Sequence, residues 1–119
     1  MSNISLDGVV VVTSHLEAQR HFYADVLGLP VRSEYGDAVF FGGEGARLVL
    51  FSEGHHPEAT RRLAPADHGI GHLEFGLPSA AVPAAQQRLL GAGHHAYREV
   101  FQDADGNLLH FVADRRHAW

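Results

Sequence analysis

The sequence predicts an α+β fold of two tandem β-α-β-β-β modules within one domain of 119 residues. Three observations predict it. A β-branched run, Val9-Val10-Val11-Val12-Thr13, precedes a helix-like apolar stripe, and the same order returns at 71–77. Ser14 matches Ser79 and Gly28 matches Gly93 at one common offset. At a slightly shorter offset, Leu48-Val49-Leu50-Phe51 lies over Leu109-His110-Phe111-Val112. A duplicated unit tends to build its ligand site between its copies, so equivalent strand positions are where chemistry is sought.

The elements follow in order. A first strand is expected from Leu6 to Thr13. Ser14-His15-Leu16-Glu17 has the form of a capping box, with Ser14 as N-cap and Glu17 reaching back. Leu16, Tyr23, Val26 and Leu27 make one stripe of the helix, which stops at Gly28. Pro30 to Tyr35, Ala38 to Phe41 and Arg47 to Ser52 read as three strands joined by Gly-containing turns. Module one thus covers about 1–52, and a polar connector with two prolines covers 53–68.

Module two covers about 69–114 and begins with a strand at Ile70–Leu77. Its helix starts near Ser79 or near Val82, because Pro83 prefers the first helical position. Leu89 and Leu90 face the core, and Gly91 or Gly93 ends the helix. Short strands follow at 94–99 and 100–102, then a turn at Asp103-Ala104-Asp105-Gly106 and a last strand at 107–113. Residues 115–119 form a tail.

Composition excludes several function classes. There is no cysteine, hence no thiol nucleophile and no thiolate metal site. There is no lysine either, so Schiff-base chemistry is excluded. The net charge of −5 with scattered arginines offers no basic stripe for nucleic acid. It suits a neutral or cationic small molecule. No apolar run has the length of a membrane span, and no export signal is evident, so a cytoplasmic location is expected.

Three stretches carry a family resemblance: Ser14-His15-Leu16-Glu17-Ala18, His21-Phe22-Tyr23-Ala24-Asp25-Val26-Leu27-Gly28-Leu29-Pro30, and Asp103-Ala104-Asp105-Gly106-Asn107-Leu108-Leu109. In this order, with Gly71-His72 between them, they resemble the vicinal oxygen chelate superfamily, which includes glyoxalase I, extradiol dioxygenases and the fosfomycin- and bleomycin-resistance proteins. Ala104 stands where the family commonly has proline. The resemblance covers nearly the whole chain. It implies a curved sheet around a ligand cleft with helices outside, and it leaves the function open, since this fold hosts many.

In metal-dependent members, ligands come from the first and last strands of each module. Carried over to this chain, those positions fall on Gly8, with Asp7 beside it, on Val49, on His72 and on His110. Glycine and valine bind no cation. The last position is usually Glu and here is His. Strand alternation places Glu74 on the face of His72, groups Leu108, His110 and Val112, and groups Arg47, Val49 and Phe51. His72, Glu74 and His110 then form a two-His, one-carboxylate set suited to Fe, Mn, Ni or Zn. In that set His72 and His110 are the metal candidates and Glu74 the catalytic one. The expected cleft lining is Arg47, Val49, Phe51, His72, Glu74, Tyr97, Phe101 and His110.

Against these stand plainer roles. His72 and His110 suit hydrogen-bonding strand residues, and Glu74 a solvated one. His55-His56 contacts water, and His15 and His21 belong to the helix start and its exposed face. Of the adjacent Phe40 and Phe41, one faces the core and the other the cleft or an interface. Asp105-Gly106 is a turn, and Trp119 is an exposed end unless it docks on a partner.

Two functions follow. The first is a metal-free homodimeric binding protein, as the resemblance to bleomycin-type resistance proteins implies, holding an aromatic, often cationic ligand. The alternative is a metal-dependent lyase, isomerase or dioxygenase built on His72, His110 and Glu74, with Asp7 of a swapped second chain as a further donor. A metal-free acid–base enzyme using the same three residues is a third reading.

Overall fold

A computed structural model of the chain describes residues 6–42, 45–54 and 72–113. The connector after residue 54, with His55-His56, and the tail with Trp119 lie outside the described residues. The chain divides into two compact units, Met1–Ala64 and Pro65–Trp119.

Unit one runs β1 (Gly8–Thr13), α1 (Leu16–His21), β2 (Val31–Tyr35), β3 (Ala38–Phe41) and β4 (Arg47–Ser52). Its sheet has the order β1-β4-β3-β2, with β1 parallel to β4 and the other pairs antiparallel. The expected Ser14–Glu17 capping box does not form. Thr13 Oγ1 instead accepts the His15 N–H at 2.9 Å, and Ser14 Oγ lies 3.2 Å from the His15 ring, so the helix opens at Leu16 without a side-chain cap.

From Phe22 to Val26 the helix widens, and the Leu27 N–H reaches the Phe22 carbonyl, five residues back, at 2.8 Å. Gly28, at φ 87°, then ends it, a conformation that costs glycine little. The widened turn sets Phe22 and Tyr23 into the core, with their rings edge to face at 4.9 Å and Tyr23 5.9 Å from Phe41. Each such buried ring contributes about 1.5–3 kcal/mol.

Unit two repeats the plan. It runs β5 (Leu73–Leu77), a tight turn of helix at Ser79–Ala81, α2 (Val82–Gly91), β6 (His95–Tyr97), β7 (Val100–Gln102) and β8 (Leu108–Ala113). The order β5-β8-β7-β6 matches unit one strand for strand, again with one parallel pair. Both expected helix starts are used: Ser79 opens the tight turn, and Pro83 sits in the first turn of α2. Gly93, at φ 82°, closes α2. Its N–H bonds Leu90, and the His94 N–H bonds Leu89, the paired bonds of a Schellman motif.

The core of unit two is Ala85, Leu89, Phe101, Leu109 and Phe111. β6 is shorter than the 94–99 strand expected. His94 Nδ1 donates to the Gln102 carbonyl at 3.1 Å, and Arg98 turns the chain at φ 51°. Before β8, the buried Asp103 carboxylate accepts the backbone N–H groups of Asp105 and Asn107 and the Asn107 side-chain amide, at 2.9–3.0 Å. This turn aims β8 and so fixes where His110 stands. No helix among the described residues is long and apolar enough to cross a membrane.

Candidate metal centre

Strand register and alternation place His72, Glu74 and His110 of unit two together. Glu74 on β5 pairs with His110 on β8, and His72 precedes Glu74 by two residues, so alternation returns it to the same face. Glu74 Oε2 lies 3.4 Å from His110 Nδ1 and 3.9 Å from His72 Nε2. The two imidazoles meet edge to face at 5.7 Å. One ligand atom from each residue lies within 4.8 Å of the other two.

These three residues suit a divalent cation. His110 Nδ1 is buried without a hydrogen-bond partner, an arrangement that costs about 1–3 kcal/mol unless something occupies the nitrogen. Two imidazoles and a carboxylate are the donors that Fe, Mn, Ni and Zn accept. Donors at about 2.1 Å from one ion stand roughly 3.0–3.4 Å apart, so the present spacing needs little more than side-chain rotation. The side chains of His72 and Glu74 are 46% and 56% exposed and that of His110 30%, which leaves access from solvent.

The two copies now compare position by position. Leu73 pairs with Leu109 as Val9 pairs with Leu48. Given the match of 48–51 with 109–112, Gly8 is the counterpart of His72, Val10 of Glu74 and Val49 of His110. All three donors are therefore absent from copy one, and Gly8 rather than Asp7 stands at the first-strand position. A Cβ on Gly8 would lie 2.8 Å from the Arg47 carbonyl oxygen and 3.1 Å from Arg47 Cγ. No ligand side chain fits there unless β4 moves.

The other expected lining residues divide. Tyr97 pairs with Val100, which pairs with His110, so Tyr97 belongs to the His110 face and is exposed. Its ring lies 5.1 Å from the Arg98 guanidinium. Phe101 is a correction. It pairs with Leu109, next to His110 in sequence and on the opposite face, and is 2% exposed with its ring 6.0 Å from Phe111. It matches Phe41 of unit one, another core ring, and cannot line the His110 face. In unit one, Arg47, Val49 and Phe51 alternate onto one face, with Val49 buried. Phe40, paired with Val49, joins them, while Phe41 turns to the helix. Of the Phe40–Phe41 pair, of which sequence expected one in the core and one elsewhere, Phe40 is the one outside the core; Tyr35 was not singled out by sequence.

A family model described as Glyoxalase/Bleomycin resistance protein/Dioxygenase superfamily matches residues 5–111. Similar solved structures include a glyoxalase/dioxygenase from Nostoc punctiforme, 20% identical over 92% of this chain and 90% of that one, at a TM-score of 0.73. A glyoxalase/bleomycin resistance protein/dioxygenase from Nocardioides is 24% identical, covering 95% and 85%, at 0.66. A lactoylglutathione lyase from Agrobacterium tumefaciens is 20% identical, covering 97% of each chain, at 0.64. At these identities the likeness is one of fold. No curated protein sequence matches the chain significantly.

Proposed function

The chain belongs to the Glyoxalase/Bleomycin resistance protein/Dioxygenase superfamily, and from that premise we propose that it is a divalent-metal-dependent enzyme acting on a small oxygenated molecule. The reaction class is that of a lyase, isomerase or dioxygenase. The observation that carries the reading is the buried, unbonded His110 Nδ1 standing 3.4 Å from the Glu74 carboxylate. A bound divalent ion would supply a Lewis acid for a carbonyl, enediol or catechol oxygen. His72 and His110 would hold it. Glu74, more than half exposed, has two available roles: third ligand, or acceptor of the proton that leaves carbon or oxygen of the substrate.

A second reading, a metal-free binding protein like those that sequester antibiotics, draws support from copy one. There Gly8, Val10 and Val49 offer no donors, and the rings of Tyr35, Phe40 and Phe51 offer stacking surface instead. Turnover separates the two. Protein loaded in turn with Fe, Mn, Ni and Zn is assayed for solvent-deuterium exchange into an enolisable α-hydroxy ketone and for oxygen uptake with a catechol. The enzyme reading expects one of these activities, slowed by a factor on the order of 10²–10⁴ in Glu74→Gln. Absence of both, with tight metal-independent binding of an aromatic antibiotic, would establish the sequestering role.

A further inference from the structure

Unit one presents a second constellation, independent of the histidines. Phe40 is its hub. Tyr35 meets the Phe40 ring edge to face at 5.8 Å, and Phe51 does the same at 6.1 Å. The Arg47 guanidinium lies 5.8 Å from the centre of the same ring. All four residues share one face, since Val49 and Phe51 on β4 pair with Phe40 and Ala38 on β3, and Tyr35 pairs with Ala38.

Three features set Arg47 apart from a surface charge. It is exposed and has no carboxylate partner among the described residues, whereas Arg20 donates to Glu34 at 2.8 and 3.0 Å. It is held over a ring, which restricts the guanidinium without using any of its five N–H donors. Room for its stem comes from Gly8, where a Cβ would stand 3.1 Å from Arg47 Cγ. A fork of donors beside the half-buried rings of Phe40 and Phe51 and the exposed ring of Tyr35 is suited to a planar anion with an apolar body.

We infer that the Arg47–Phe40 face of unit one binds an aromatic carboxylate, with Arg47 taking the carboxylate and Phe40, Phe51 and Tyr35 the ring. The net charge of −5 alone suggests a neutral or cationic ligand, but the charged group in contact with the Phe40 ring on this face is the Arg47 guanidinium. This binding rests on unit one alone and survives failure of the metal reading.

The test uses chelator-treated full chain and three probes of one shape: 2-naphthoate, 2-naphthamide and 2-naphthylmethylammonium, by calorimetry. Naphthoate is expected to bind about tenfold or more tighter than the amide. Arg47→Gln should abolish that preference while leaving amide binding, Arg47→Lys should keep part of it, and Phe40→Leu should weaken both. Thermal melts establish that each variant is folded. Equal affinity for acid and amide, preference for the ammonium, or an Arg47→Gln variant that keeps the preference would overturn the inference. So would failure of every probe to bind at millimolar concentration to the folded chain.

Discussion

Glu74 and His110 stand directly opposite one another across the parallel β5–β8 pair, with carboxylate and imidazole 3.4 Å apart. Cross-strand neighbours move little relative to one another, because the backbone ladder fixes both. The pair is therefore a preformed donor edge, and His72, 3.9 Å from the same oxygen, closes it into a triangle. If that triangle holds a cation, Glu74→Gln should lower Co(II) affinity by about 10- to 100-fold, read from the visible d–d bands, with the fold intact by circular dichroism. Unchanged affinity would remove Glu74 from the ligand set.

Phe101 and Tyr97 lie close in sequence but differ in environment, and their truncations should differ accordingly. Phe101, at 2% exposure, packs against Phe111. Phe101→Ala should cost about 3–5 kcal/mol by urea unfolding. Tyr97 is 62% exposed, and Tyr97→Ala should cost less than about 1 kcal/mol. Equal losses would contradict the assignment of faces.

Gly8 and Gly91 make a matched pair. A Cβ at Gly8 would meet the β4 backbone at 2.8 Å, whereas a Cβ at Gly91 would meet nothing within 4 Å. Gly8→Ala should destabilise by about 1–3 kcal/mol. Gly91→Ala, at the end of α2, should stabilise by about 0.4–1 kcal/mol by restricting the unfolded chain. Opposite signs in paired thermal melts are the expected outcome.

The Asp103 carboxylate accepts three hydrogen bonds within one turn. Asp103→Ala leaves those donors without it and should cost about 2–4 kcal/mol, and Asp103→Asn, which keeps an acceptor oxygen, should cost less. Because this turn aims β8, Asp103→Ala should also weaken metal binding at His110, a coupling that isothermal titration would reveal.

Much of this was legible in the residues. The repeat appears in Gly28 and Gly93, which take nearly the same positive φ at the ends of the two helices. Period-two alternation alone brings His72, Glu74 and His110 to one face. Phe101 was expected in the cleft without a parity argument, because a three-residue strand such as β7 carries too few positions to fix its parity, and pairing with Leu109 puts it on the core face. The capping box failed for a local reason: Thr13, one residue earlier, takes the His15 N–H and leaves Ser14 beside an imidazole. The close approach of β4 that leaves no room for a Cβ at Gly8 depends on β1–β4 register, which no pattern within either strand encodes.

The most direct test of the metal reading is elemental analysis after reconstitution with Fe, Mn, Ni and Zn, for the natural chain and for His72→Ala and His110→Ala. The expected result is about one divalent ion per chain, lost in both variants, as a three-donor site requires. No metal in the natural chain after reconstitution, or full metal retained in both variants, would contradict it.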